Sequence, residues 1–421
     1  MAFLTDLRQA RHKVVQGYTL LYALVALIII SAFSLFILST FNLCNRTISI
    51  AKRRDLSFLY CYQGLSYIDS LKSDGYDYNF EYGKDFRLHV SKKQWGLYEV
   101  YSAVIIAGTT DTVNSKLALI GLQRDTAINI GLFLRNTNAT FYLSENVIVS
   151  GNCYIPLGFV KKYGNTGASD LPKQQVMTSP DTLPSLKNAD TLINRIFENR
   201  VYSNSILKIK DTVTISFLDT TLVLNADTVI IDGSLSGNIL VAAKRLFIHS
   251  NAKLSGIVLA ADDIYISDYF NGSCQLFATD SILIGQSVAF NYPSIVGLFP
   301  NRKAMQQARE FRPTIQIGDS LRLYGEIYAY AKDYNISSKL DVNVGKGSFI
   351  KGGIYTNSNL SWQGTCLGTI ICDKIIYQGK GSVYENMISN VTIHPDSLSN
   401  FYCYSLLFPL SSEKKVVAWL K

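Results

Sequence analysis

Four hexapeptides decide how this chain folds: "ADTVII" (226–231), "AKRLFI" (243–248), "ADDIYI" (261–266) and "TDSILI" (279–284). Their starts are 17, 18 and 18 residues apart. Each ends in an alternating apolar run of strand character, and none is followed by a helical pattern. "GDSLRL" (318–323) reads as a fifth copy after an interruption carrying "NYPSIVGLFPNRK". Between the copies lies a second set of short strands opened by small residues: "SGNILVA" (236–242), "SGIVLAA" (255–261), "YGEIYAYA" (324–331) and "GGIYTNS" (352–358).

Two short strands per repeat with Gly, Asn, Ser or Asp at the corners suit a stacked β-solenoid. One repeat cannot bury its apolar edge alone, whereas a stack has a continuous core. The alternative is a β-sandwich with evenly spaced strands. The constancy of the step favours a parallel, right-handed β-helix over residues 140–400, with a Pro-rich excursion at about 165–203. Residues 401–421 are expected to cap its open end.

Upstream, "FRLHVS", "GLYEVYSAVIIAG" and "SKLALIGL" alternate apolar and polar residues between turn signals, which predicts a small antiparallel meander over 75–139. Residues 43–74 place Ile48, Leu56, Leu59, Leu65, Ile68 and Leu71 near one helical face, predicting an amphipathic stalk broken at "DGYDYN" (74–79). Before the stalk, Tyr18 to Phe41 carries no charge, enough to cross a bilayer as a helix and too long for a cleaved signal's apolar core. The expected order is a basic cytoplasmic leader (1–17), a transmembrane helix (18–42), the stalk, the meander and the β-helix.

Only 17% of the 421 residues are charged, and the net charge is +8. The densest basic run, Lys52-Arg53-Arg54, sits near the apolar segment and suits a lipid headgroup layer better than nucleic acid. Seven scattered cysteines lack metal-ligand spacing, so neither a metal nor a cofactor is expected. Cys366 and Cys372 are close enough in sequence to pair in an oxidising compartment; the alternative is buried free thiols.

Catalytic signatures are sparse. Asp262-Asp263, with His249 one repeat earlier, is the best carboxylate pair, but adjacent strand residues point to opposite sides, which favours a structural corner. Gly-Lys-Gly-Ser occurs at 345–348 and 379–382 without the glycine a phosphate loop needs, and the two copies read as equivalent turns of successive repeats. No catalytic residue is assigned.

Asp followed by Ser or Thr and then an apolar residue or Thr occurs eleven times. The pattern resembles the O-glycosylation signal of Bacteroidota, which implies glycans on Ser70, Thr112, Thr126, Thr182, Thr191, Thr212, Thr220, Thr228, Ser281, Ser320 and Ser397, and a periplasmic body. The alternative is that Asp-Thr and Asp-Ser start turns. "SENVIVSGNCYIPLGFVKK" (144–162) and "QLFATDSILIGQSVAFNYPSIVGLF" (275–299) resemble a Bacteroidota family of membrane-anchored β-solenoids, a resemblance that implies architecture and no activity.

"GYTLLYALVALIII" (17–30), after a leader with Arg8, Arg11 and Lys13, resembles the processing site of type IV prepilins and pseudopilins. The resemblance implies cleavage between Gly17 and Tyr18. Where major pilins carry Glu five residues after the cut, this chain has Tyr22, as certain minor, tip-located subunits do. The expected function is therefore a non-enzymatic, minor-pilin-like protein of the bacterial inner membrane, its body periplasmic or at the cell surface. Its expected partners are membrane lipid, envelope or pilus-like proteins and glycans. The alternatives are a tethered polysaccharide-active β-helix enzyme and an envelope scaffold with an unprocessed anchor.

Overall fold

The computed structural model describes residues 2–68, 78–82, 86–107, 111–164, 171, 175–198, 204–300, 312–333, 339–379, 381–411 and 413–420, with backbone alone at 2–17, 67–68, 78–80, 82, 86, 107 and 111–113. Ser70, Leu71 and most of "DGYDYN" lie outside the described residues. The chain is mainly β with one long N-terminal helix. It divides into two compact units, Met1–Ser66 with Asn79–His89 and Ala103–Ser115, and Tyr67–Tyr78 with Val90–Ser102 and Lys116–Lys421.

The first unit is dominated by helix α1 (Ala2–Ile68). Every residue from 18 to 56 is exposed, so the apolar surface is bare all round. Twenty-four uncharged residues at 1.5 Å each make about 36 Å, enough for a bilayer core. Three hydroxyls in this stretch bond back to their own helix: Ser31 Oγ to Ile28 O (2.9 Å), Ser34 Oγ to Ile30 O (2.8 Å) and Thr40 Oγ1 to Phe36 O (2.9 Å). That leaves no unsatisfied side-chain donor on them to oppose transfer into lipid. Further along, Ser57, Cys61 and Gly64 share one buried face. Asn114 Nδ2 donates to Ser57 Oγ (3.2 Å), and the Cys61 thiol lies 3.6 Å from Ala103 O.

The second unit is built on parallel pairing. Ala226 lies opposite Ala243, Arg245 opposite Asp263, and Asp263 opposite Ser281, so the 17- and 18-residue steps are the register of the sheet. Inward positions form apolar columns. One runs Val229, Leu246, Ile264, Ile282, Ile315, Val342, and a second runs Val241, Leu259, Leu276, Val296, Ile327, Ile354, all wholly buried. Each such side chain contributes roughly 1.5–3 kcal/mol by leaving water. The parallel strands close into a barrel-like ring.

Three particulars depart from the expectations. The strand after Ser281–Ile284 in the ladder is Thr314–Ile317, and "GDSLRL" instead places Arg322 on Ala289 in a different column. Ile130–Leu134, inside the segment read as the meander, belongs to the parallel sheet. There Leu132–Leu134 pairs with Ile370–Cys372 and, on its other side, Leu132–Phe133 pairs with Cys153–Tyr154, which leads on to Val176–Thr178. Val391–Ile393 likewise lies beside Val147–Val149. Val176–Thr178 lies beside Cys153–Ile155, and the next strand of the sheet in chain order, Ile206–Ile209, lies beside Thr228–Ile231.

Between these strands the described residues 179–198 run as a strap over the sheet. Tyr355 OH donates to Pro184 O (3.0 Å), Lys332 pairs with Asp190, and Gln94 Nε2 donates to Leu192 O (3.0 Å). Among the described residues helix α2 (Ala189–Phe197) is the strap's regular element, and its Ala189 and Ile196 are buried. As for the expected cap, Cys403–Tyr404 and Lys414–Leu420 pair antiparallel with Asp111–Gln123 in a six-stranded sheet that also holds Tyr78–Tyr82, Phe86–Trp95 and Tyr98–Ala107.

Candidate functional site

The carboxylate pair singled out from the sequence is tied up within the ladder. Asp262 Oδ1 accepts from Thr279 Oγ1 (3.1 Å), and Asp263 Oδ1 accepts from Ser281 Oγ (2.5 Å). The register shifts between Ala261 and Asp263, so the pair occupies a bulged corner. His249 does not join it and faces Asp232 at 3.6 Å. Each Asp therefore bridges to a hydroxyl of the next strand.

The Gly-Lys-Gly-Ser copies are not equivalent. At 345–348 the segment stacks on the preceding corner, with Lys346 N donating to Asp319 Oδ1 (2.8 Å) and Ser348 Oγ to Gly345 O (2.7 Å). The copy at 379–382 lies in an antiparallel hairpin joining Ile376–Gln378 to Val383–Glu385, with Gly379 N bonded to Ser382 O (2.9 Å). A shared tetrapeptide here serves two different turns.

Cys366 and Cys372 form no disulfide; both are buried free thiols. They lie six residues apart in one extended stretch, Asp341–Gln378, and register with Ile393 and Leu134 on different strands. Burial pushes the Cys366 thiol up to about 12 and raises the Cys372 thiol well above its ordinary value, so neither is a ready nucleophile.

The hydroxyls in Asp-Ser/Thr steps differ in access. Thr126, Thr182, Thr191, Thr212, Thr220, Ser320 and Ser397 are exposed, whereas Thr228 is buried and Ser281 is engaged by Asp263. Some of the aspartates act as turn formers: Asp125 Oδ1 accepts from Ala127 N (2.9 Å), and Asp319 Oδ1 holds Lys346 N. Thr112 lies in the strand Asp111–Gln123. Gly17 and Tyr18 fall within α1, and Tyr18 is exposed.

Two polar constellations escaped the sequence reading. In the first, the tight turn Gly96–Leu97 is gripped by Gln275, whose Oε1 accepts from Leu97 N (2.8 Å) and whose Nε2 donates to Trp95 O (3.0 Å). Trp95 Nε1 adds a bond to Gly256 O (2.9 Å). Beside it opens a cleft of about 360 Å³ whose lining includes Lys93, Trp95, Arg195, Glu198 and Thr221. Wholly buried Asn238 accepts from both Lys93 Nζ (3.1 Å) and Thr221 Oγ1 (3.0 Å). Desolvation lowers the Lys93 pKa.

In the second, Glu326 is wholly buried among Tyr98, Tyr292, Tyr328, Tyr402 and Tyr404. Its carboxylate receives Tyr328 OH (2.6 Å) and Ser405 Oγ (2.6 Å). Burial outweighs these bonds and raises its pKa to about 7. The signal for it was a single carboxylate inside an otherwise uncharged strand, "YGEIYAYA".

Among the described residues no group of three or more His, Cys, Asp or Glu converges as a metal site. No family model matches the chain, and no curated protein or solved structure matches it either.

Proposed function

We propose that this chain is a single-pass, minor-pilin-like interaction protein of the bacterial envelope, whose extracytoplasmic body is a parallel, right-handed β-solenoid carrying O-linked glycans. The observation that carries the reading is α1: an uncharged stretch exposed on every side joined to a large β body. A helix apolar all round is stable in lipid or packed among like helices, and both settings are open to a filament subunit.

The solenoid reading is supported by the constant 17- and 18-residue register and by the two inward apolar columns. The enzyme alternative loses its best candidate pair, since Asp262 and Asp263 bond separate hydroxyls of the neighbouring strand. Exposed threonines such as Thr212 and Thr220, eight residues apart, offer acceptors for glycan.

The test is the intact mass of the mature protein from cells with and without prepilin peptidase. A wild-type terminus at Tyr18 that disappears without the peptidase is expected. An intact Met1 in wild-type cells rules out the pilin-like part and leaves an unprocessed envelope anchor. Recovery in the soluble fraction after cell breakage overturns the membrane reading itself.

A further inference from the structure

A row of tyrosines lies apart from everything described so far. Tyr142 points outward between Phe141 and Leu143, both buried, so strand alternation alone puts its ring on the surface. Its neighbour across the sheet is Lys161, and Lys162 follows opposite Leu143. Tyr163 comes next and stands 46% exposed. In the hairpin Ile376–Glu385, Tyr377 and Tyr384 are cross-strand partners.

These rings touch in succession. Centroids are 6.5 Å apart for Tyr142 and Tyr163, 5.5 Å for Tyr163 and Tyr384, and 6.3 Å for Tyr384 and Tyr377. The Tyr163 and Tyr384 hydroxyls lie within hydrogen-bond distance of each other at 3.3 Å. Exposed Lys161 lies on the face of Tyr142, and exposed Lys162 follows it on the strand, while Lys374 is paired with Glu385 at 3.5 Å. The local charge is therefore positive.

We propose that this row is a binding surface for an acidic glycan. A partly exposed line of aromatic rings forgoes the burial such side chains usually gain and marks an interaction surface. The ring faces are electron-rich and attract the slightly positive C–H face of a pyranose, while the phenols exchange hydrogen bonds with its hydroxyls. Lys161, which shares the face of Tyr142, selects a carboxylated or sulfated chain over a neutral one.

This deepens the interaction role proposed above and depends on that reading only for the compartment where such a glycan is met. The test is affinity electrophoresis of the full-length protein in detergent through gels containing polygalacturonate, dextran or neither. Retardation by polygalacturonate alone is expected. Y163A/Y384A is expected to weaken it roughly tenfold or more, the equivalent of losing two stacked rings. Y163F/Y384F keeps most of it.

K161E/K162E abolishes the retardation, whereas K208E/K210E, the same charge change on exposed residues elsewhere, leaves it intact. K161E/K162E also reads the surface if the alanine pair fails to fold. Equal mobility of the wild type in all three gels overturns the proposal. So does equal loss in both lysine variants, which marks diffuse charge attraction, or equal retardation by dextran, which marks a neutral ligand. A chain that keeps Met1 and still binds separates failure of the pilin reading from failure of this one.

Discussion

Glu326 and Ser405 stand 79 residues apart in sequence and meet through three bonds: Ser405 N reaches Oε1 at 2.9 Å and Oε2 at 3.1 Å, and Ser405 Oγ reaches Oε2 at 2.6 Å. The groups facing this carboxylate are phenols and the Cys403 thiol, with no cation among them. Its pKa is raised from the ordinary 4.5 to about 7, so the folded state favours the protonated acid. The associated stability is fully present below about pH 4.5 and is lost as the pH rises through 7. Chemical denaturation at pH 5 and pH 8 should differ by on the order of 3 kcal/mol. In E326Q that difference should largely vanish.

Gln275 and Gly96 make a second long-range clamp. Truncation in Q275A strands the Leu97 N–H and should cost about 1–3 kcal/mol. Gly96 has φ +61°, and a Cβ there comes within 2.1 Å of Gln275 Oε1, so G96A should destabilise as well. The check is a double-mutant cycle by urea unfolding. The two losses should fall clearly short of adding, because either change alone breaks the same grip.

Neighbours on one strand should respond very differently to truncation. Leu246 is wholly buried in the inward column, and L246A should cost about 2–5 kcal/mol. Phe247 faces outward and stacks on Tyr265 at 4.8 Å and 10°, so F247A should cost about 1 kcal/mol. Thermal melts of the two variants decide the matter, and comparable losses would count against the inward and outward assignment.

The acceptor threonines carry an internal control. Thr220 is exposed and Thr228 is buried. Peptide mass spectrometry of protein from the native cell should find glycan on Thr220 and none on Thr228. Unmodified peptides at all of the exposed steps would remove the glycosylation reading and leave these aspartates as turn formers.

How far the fold could be read from the residues follows from which forces act locally. The steps between Ala226, Ala243, Ala261 and Thr279 were legible because each inward column demands an apolar residue at every second position and each corner a small or polar one. The pairing of Leu132 with Ile370 was not, since parallel strands far apart in sequence share no turn chemistry to announce them. The clefts and clamps fared worse. Gln275 sits in a run that reads as core, and only the fold brings Leu97 to it. Cys366 and Cys372 misled for the opposite reason, because nearness along the chain is not nearness across an extended backbone.

The pairing of Ile130–Leu134 with Ile370–Cys372 sets a clock on assembly. A ribosome issues the earlier strand long before its neighbour exists, at roughly 5–20 residues each second. For that interval Leu132 and Leu134, both wholly buried at the end, have an open side and no partner for it. The ladder that begins at Ile206 can close as it emerges, but the first strands made are among the last to be roofed over. Truncation near the C-terminus should therefore harm strands encoded near the start.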